Sequence, residues 1–89
     1  MKYELMIIAD VASNKTAVKN VERYLAGIKA TDIKKDDLGT KTLAYKIKKT
    51  FEGHYTVFTF DAEPNTVLEL KDNLKLDETL LREMVTKIK

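Results

Sequence analysis

Two neighbouring segments in the middle of the sequence have the composition and the spacing of paired β-strands. Between residues 41 and 48 an apolar set of side chains alternates with a polar set, Leu43, Tyr45 and Ile47 against Thr42, Lys46 and Lys48. A period of two is typical of a strand with one buried face and one solvated face. Residues 53–60 are rich in β-branched and aromatic side chains and indicate the partner strand. Gly53 is expected to supply the positive φ of the turn, so the sequence predicts a long central hairpin.

A strand and a helix flank this hairpin on each side. Residues 2–9 are apolar on both faces, as in a central strand, and the stripe Val18, Val21, Leu25 and Ile28 follows at helical spacing. After the hairpin, Pro64 favours the first turn of a second helix, and residues 80–88 form a last strand. This order predicts an α+β fold, the ferredoxin-like βαββαβ sandwich, in which a four-stranded antiparallel sheet carries two helices on one face.

Three further expectations concern the connecting segments. Residues 30–37 are interpreted as a crossing segment that enters the hairpin, with Ile33 as its apolar anchor. Gly39 is expected to mark a bulge in the long strand. The acidic pairs at 36–37 and 77–78 are expected to be solvated turn carboxylates, because neighbouring residues on a strand point apart and form no acid–base pair.

Length and composition limit the classes of protein that remain. Eighty-nine residues predict one domain, 1–89. The sequence has no cysteine, which excludes disulfides and cysteine-ligated metals, and it has no apolar run long enough for a membrane span. No secretion leader is evident, so a cytoplasmic location is expected. The formal charge of +2 does not by itself indicate an anionic partner.

Catalytic chemistry finds little support in the residues. His54 is the only histidine, and a structural or surface role for it is favoured over that of a base. There is no glycine-rich phosphate loop and no metal-binding cluster, so no cofactor, metal or small-molecule substrate is expected. Small acyl-phosphate hydrolases share the predicted topology, but residues 10–14 lack the arginine their pattern needs. A ligand-binding regulatory module of the same fold is the other alternative, and the glycine-rich loops that would favour it are absent.

Nucleic-acid binding is better supported. Lysines at 41, 46, 48 and 49 cluster on the hairpin, and Arg82 and Lys87 lie on the last strand. Cationic side chains on a sheet make phosphate contacts that position RNA, although a lysine row also keeps a sheet edge soluble, and both interpretations remain open. Residues 52–59 keep only the glycine and valine of the RNA-recognition fingerprint, so base stacking in that style is not expected. Apolar residues on both faces of this strand predict apolar surface on the open side of the sheet, typical of a partner site.

Several short motifs, taken in order, resemble the family of ribosomal protein six of the bacterial small subunit. The motifs are Met1–Glu4, Leu38-Gly39, residues 42–49, Gly53-His54-Tyr55 and residues 82–87, and together they cover essentially the whole chain. The family usually has proline where this chain has Lys46. The resemblance implies a structural, non-enzymatic component of the small ribosomal subunit that binds the central domain of small-subunit rRNA together with ribosomal protein eighteen.

The resemblance also implies candidate site residues. Those expected to contact RNA are Lys2, Tyr3, Lys41, Lys46, Lys48, Lys49, Arg82 and Lys87. Those expected to contact the partner protein are Leu43, Tyr45, Ile47 and His54. Lys46 restores an N–H where proline would block strand pairing, so the local geometry of the strand is expected to differ from that of the family.

Overall fold

The computed structural model describes residues 1–47 and 50–88, and within these it describes only the backbone of residues 44–47 and 50. Four strands and two helices follow one another in the predicted order. The elements are β1 (Lys2–Ala9), a 3-10 turn (Val11–Ser13), α1 (Asn14–Gly27), β2 (Thr31–Ile47), β3 (Thr50–Asp61), α2 (Pro64–Leu76) and β4 (Leu80–Ile88). Pro64 occupies the first turn of α2, as expected from its missing N–H.

The strands form one antiparallel sheet in the order β2-β3-β1-β4. The two central strands are β3 and β1, which explains why both are apolar on each face. Tyr3, Leu5 and Ile7 of β1 lie in the same buried cluster as residues of both helices, so the two helices cover one face of the sheet. The ferredoxin-like sandwich predicted from the sequence is therefore confirmed.

The core lies between this sheet face and the two helices. Leu5 and Ile7 of β1 meet Phe58 and Phe60 of β3 there, and all four are fully buried. From α1 and its C-cap the core takes Val21, Leu25 and Ile28 of the predicted stripe together with Ala17, which was not predicted, whereas the predicted Val18 is only partly buried against the core. The second helix contributes Val67, Leu70 and Leu74. Burial of these large apolar side chains is the main favourable contribution to folding.

The second strand is longer than the sequence analysis predicts. The segment interpreted as a crossing is itself strand, because β2 already begins at Thr31 and pairs with the end of β3. Ile33 is exposed rather than an apolar anchor. The bulge predicted at Gly39 is confirmed: the register shifts between Asp37 and Gly39, and Gly39 has a φ of +85°. The Asp37 carboxylate accepts a hydrogen bond of 2.8 Å from the Gly39 N–H and supports this conformation.

The turn predicted at Gly53 is wrong. Gly53 lies within β3, opposite Lys41, and it is not among the described residues with a positive φ. The absence of a side chain matters there for another reason: a Cβ at this position would come within 2.5 Å of Ile8 Cγ2 and 3.3 Å of Leu43 Cδ2. A glycine is therefore required because two apolar side chains from β1 and β2 close over the β3 backbone.

The expectation of a solvated carboxylate at Asp77 is also wrong. Asp77 is only 9% exposed, and its carboxylate accepts hydrogen bonds from the Tyr24 hydroxyl at 2.8 Å and the Thr79 N–H at 2.9 Å. Burial alone would raise the Asp77 pKa, but these hydrogen bonds and that of the Thr79 hydroxyl outweigh it and hold the pKa below its usual value. The residue is a structural link between α1 and the start of β4.

Candidate nucleic-acid interface

The sheet face away from the helices is called the open face here, and strand register defines its members. Directly opposed residues on neighbouring strands share a face. Because Tyr3, Leu5 and Ile7 face the helices, the intervening β1 residues and their partners lie on the open face. Its apolar centre consists of Met6, Ile8, Tyr55, Val57 and Met84. The prediction that one apolar face of β3 lies on the open side is therefore confirmed, and the register shows that this face is the one with Tyr55 and Val57. Its use by a partner remains a prediction.

Charged residues surround this apolar centre. Among the residues whose side chains the structure describes, the cations of the open face are Lys2, Lys34, Lys41 and Arg82, and the carboxylates are Glu4, Asp36 and Asp61. Since the two signs nearly balance, the face is not a uniformly positive patch. Lys34 and Met84 were not singled out from the sequence. Lys34 lies in the segment interpreted as a crossing, and Met84 lies in the predicted last strand, where only the two cations were named.

Two predicted RNA contacts, Lys2 and Arg82, lie on the open face but at opposite ends. Lys2 is at the start of β1, while Arg82 lies opposite Ile8 near the end of that strand. Six residues of strand separate the two positions, a distance of about 20 Å. Lys2 forms an exposed ion pair with Asp32, with 3.6 Å between Nζ and Oδ2. Screening makes such a pair weak, so it does not withhold Lys2 from an RNA phosphate.

Lys41 lies at the same end of the open face as Arg82. It is opposite Gly53, and its Nζ is 5.3 Å from the ring centroid of Tyr55. The structure therefore brings Lys41 and Arg82 to the same end of the sheet, with the Tyr55 ring between their strands. This end combines cations, an aromatic ring and apolar surface.

Tyr3 requires a correction. The residue is 7% exposed, belongs to the core and stacks on Phe60 with 5.8 Å between ring centroids. A ring buried beneath the helices has no surface for RNA, so Tyr3 serves packing. Lys87 is exposed but lies opposite Tyr3 in the register, in the row that faces the helices. An RNA contact by Lys87 stays a prediction and is not part of the open face.

Several predicted contacts of the hairpin lie outside the described side chains. Lys48 and Lys49 fall between the described ranges, and for Lys46, Tyr45 and Ile47 only the strand backbone is described. Their roles in RNA or partner binding therefore stay predictions.

The two remaining predicted partner contacts are on different faces. Leu43 is largely buried and lies beside Ile8 above Gly53, on the open side. His54 lies opposite Ala9, in the row that faces the helices. Any partner that contacts both would have to reach around the β2 edge of the sheet.

His54 has a structural environment, in accord with the role favoured from the sequence. Its Nε2 is 2.6 Å from Oδ1 of Asp37, and its Nδ1 is 3.2 Å from the Thr40 hydroxyl. The hydrogen bond from the Gly39 N–H and then the contact with His54 hold the pKa of the Asp37 carboxyl below its usual range. The three side chains fasten β2 to β3 around the bulge.

A groove of about 340 Å³ lies on the helix side, between α1 and β2. Its lining carries both signs of charge, with Lys15, Lys19 and Lys35 against Glu22 and Asp37, and Lys35 is 3.7 Å from Glu22. This mixture favours no single class of anionic or cationic ligand. In the described part of the chain, no three His, Cys, Asp or Glu residues are grouped to hold a metal. Neither described helix has the length and apolarity that crossing a bilayer requires.

The fold and the open face together define the class of protein: it is a ferredoxin-like domain whose uncovered sheet face combines apolar and cationic side chains. The family model described as "Ribosomal protein S6" matches residues 2–87. This chain belongs to the ribosomal protein S6 family of the small ribosomal subunit. Its place is accordingly the cytoplasmic ribosome, and it is a structural protein rather than an enzyme. The hydrolase alternative is thereby excluded.

Individual relatives agree with this assignment over nearly the whole chain. The small ribosomal subunit protein bS6 of Arthrobacter sp. (strain FB24) is 39% identical over 96% of this chain and 88% of its own length. The bS6 protein of Exiguobacterium sp. (strain ATCC BAA-1283 / AT1b) is 32% identical over 97% and 95% of the two chains. The crystal structure of 30S ribosomal protein S6 from Thermotoga maritima superimposes with a TM-score of 0.84 at 26% identity, covering 96% of this chain and 84% of that one.

Proposed function

We propose that residues 1–89 act as one domain that binds the central domain of small-subunit rRNA together with ribosomal protein eighteen. The observation that supports this most is the open face, which neither helix covers and which carries cations around an apolar centre. An enzyme needs a cleft with convergent reactive groups, whereas a flat, uncovered sheet offers area for a macromolecule. The role is one of assembly.

Phosphate contacts supply the attraction to RNA. Lys41 and Arg82 provide two cations at one end of the open face, and Lys2 provides a third at the other end. Lys46, Lys48, Lys49 and Lys87 are further candidates from the sequence. Because carboxylates of the same face offset part of this charge, the chain alone is expected to bind weakly, with a Kd on the order of 10⁻⁴ to 10⁻⁶ M, as for non-specific phosphate contacts.

A partner protein supplies the additional RNA affinity that the isolated chain lacks. The proposed docking region is the hairpin end of the sheet, with Leu43, Tyr45 and Ile47 of β2 and His54 of β3, because β2 is an edge strand of the described sheet. An edge strand offers backbone groups as well as side chains to a partner. Lys46 adds an N–H where the family usually has proline, which gives the partner one more backbone donor.

The test measures RNA binding by each protein alone and by the two together. A mobility-shift titration uses an RNA fragment of the small-subunit central domain, with an RNA of equal length from another domain as the control. The expected result is tight, selective binding only by the mixture. Equal affinity of this chain alone and of the mixture would contradict the joint mode. Absence of binding in every combination would contradict the proposed function itself.

A further inference from the structure

We propose that Tyr55 is a stacking platform for one unpaired nucleobase of RNA, with Lys41 beside it for the adjoining phosphate. This inference rests on the proposed RNA-binding function and identifies the contact that the open face makes. It concerns a single-stranded nucleotide rather than a duplex, because only an unpaired base can present its flat surface to a side chain.

The first support is the position of Tyr55. It lies on the central strand β3, opposite Ile8 of β1, and Ile8 in turn lies opposite Arg82 of β4. Strands in a sheet are about 4.8 Å apart, so Arg82 is attached about 10 Å from the Tyr55 backbone. A nucleotide stacked on the ring would therefore lie between two strands that carry cations, with Lys41 on one side and Arg82 on the other.

The second support is that one surface of the ring meets a solvent-exposed cation. Lys41 is exposed, and its Nζ lies 5.3 Å from the Tyr55 centroid. An exposed cation–π contact is weaker than base–aromatic stacking, so a base can replace the ammonium group over the ring. The displaced Lys41 then lies beside the base, where the phosphate of the same nucleotide would be.

The third support is open space on the β2 side of the ring. Gly39 is the residue opposite Tyr55, and a Cβ built on Gly39 meets no atom within 4 Å. The position directly opposite Tyr55 therefore carries no side chain, and Lys41, two residues further along β2, is the neighbour over the ring. On the β1 side, Ile8 gives an apolar floor, which suits the edge of a base.

The RNA-recognition fingerprint does not indicate Tyr55 as a stacking residue, because the strand register in this chain differs from the one the fingerprint assumes. The fingerprint wants a stacking aromatic side chain where this chain has Thr56, and that residue faces the helices in this structure. Thr56 is buried. A one-residue shift in a strand exchanges its two faces, so Tyr55 presents its ring on the open face. The fingerprint is absent, yet a ring is presented on the same side of the sheet.

The experiment measures binding of an octauridylate to the full chain by NMR titration, because the expected affinity is weak. Bound uracil protons are expected to shift upfield, since stacking places them in the ring current of Tyr55. Tyr55→Leu, which keeps an apolar side chain, should reduce affinity by between about fivefold and about 150-fold at an unchanged salt dependence. Tyr55→Phe should bind as the parent does. An abasic oligomer of equal charge should bind the parent as weakly as octauridylate binds Tyr55→Leu.

Two controls separate stacking from other effects. Leu68→Ala alters an exposed apolar residue of α2, away from the open face, and should leave affinity unchanged, and the amide spectrum of each variant reports folding. Equal binding by the parent and Tyr55→Leu, or no upfield shift in the bound probe, overturns the stacking site and leaves the proposed function standing. Failure of the parent to bind any RNA, with or without ribosomal protein eighteen, overturns the proposed function and this inference with it.

Discussion

The hydroxyl of Tyr24 donates a hydrogen bond of 2.8 Å to Oδ2 of Asp77, and this contact joins α1 to the turn before β4. The same carboxylate accepts hydrogen bonds from the backbone N–H and the hydroxyl of Thr79. Tyr24 is half-buried and packs against the core, so the contact is partly shielded from water. Since β4 completes the open face, this buried carboxylate supports the strand that carries Arg82.

Removal of the Tyr24 hydroxyl should therefore destabilise the fold. Tyr24→Phe is expected to lower the free energy of unfolding by about 1–2 kcal/mol, because a hydrogen bond to a charged group is lost and a buried acceptor loses a partner. Urea unfolding followed by circular dichroism measures this. Tyr55→Phe removes a hydroxyl from the open face and serves as the matched control, with a change within about 0.5 kcal/mol. Similar changes in the unfolding free energy of the two variants would show that the hydrogen bond from Tyr24 to Asp77 does not stabilise the fold.

Stability should depend on the charge of Asp77 in acid. Its pKa is lower in the folded chain than in the unfolded chain, so its contribution is fully present above the unfolded value of about 3.9. The contribution is lost as the pH falls through the lower folded pKa. The difference in unfolding free energy between the parent and Asp77→Asn should be largest near neutral pH and shrink below about pH 4. Urea titrations at a series of pH values measure it.

Asp37 must be controlled in that experiment, because its pKa is also lowered. The parent and the Asp77→Asn variant therefore both carry Asp37→Asn, which removes the titration of Asp37 from the comparison. A constant difference between the parent and Asp77→Asn across the whole acid range would contradict the assignment to Asp77.

Gly53→Ala should destabilise the chain even though alanine is a small residue. The new Cβ would lie 2.5 Å from Cγ2 of Ile8, which is attached directly to the Ile8 Cβ and cannot swing away on its own. The expected loss of unfolding free energy is about 1–3 kcal/mol, typical of overpacking. Because Ile8→Ala removes the conflicting atom, Gly53→Ala should cost less in that background, and a double-mutant cycle measures the coupling.

Gly27→Ala is the matched control for this substitution. Gly27 ends α1, and a Cβ there meets nothing within 4 Å. The change is expected to be neutral or to stabilise the chain by up to about 1 kcal/mol, since alanine restricts the unfolded chain. Equal costs at the two glycines would rule out the contact with Ile8 as the cause.

RNA affinity should depend on salt through the cations of the open face. Lys41→Ala and Arg82→Ala are each expected to reduce the slope of log affinity against log salt by about one unit, as one phosphate contact is lost. Lys75→Ala, an exposed cation on α2, should leave the slope unchanged. Titrations at several salt concentrations with the central-domain RNA and ribosomal protein eighteen provide the slopes. If Lys41→Ala and Arg82→Ala give the same slope as the Lys75→Ala control, RNA binds to a surface other than the open face.

Periodicity was sufficient to predict the fold. The helical stripe containing Val21 and Leu25 defines a buried face without any knowledge of the partner element, and the apolar residues on both faces of β1 indicate a central strand. Pro64 located the start of α2 for a purely local reason. These features are visible in the sequence because they depend on residues close together in the chain.

The features that were missed depend on contacts between distant segments. Asp77 is buried because a tyrosine 53 residues away supplies a hydrogen bond, and no local pattern reveals this. Gly53 is required by side chains of β1 and β2 rather than by its own backbone conformation. Tyr3 and Tyr55 could not be assigned to a face of the sheet until the strand register was known. The sequence therefore predicted which strands carry the site but not which of their residues lie on the open face.

The sheet places its first and last strands side by side, with β4 paired to the central strand β1 along its length. During synthesis, β1 emerges early and its inner edge has no neighbour until residues 80–88 have followed. Pairing of β1 with β4 is slow, because closing the large loop between them costs conformational entropy before any favourable contact between the strands forms. The folded domain therefore forms only after the last strand has left the translating ribosome. Until then β1 exposes an unpaired edge that can pair with other chains, and capture into a ribosomal subunit is expected only once β4 is in place.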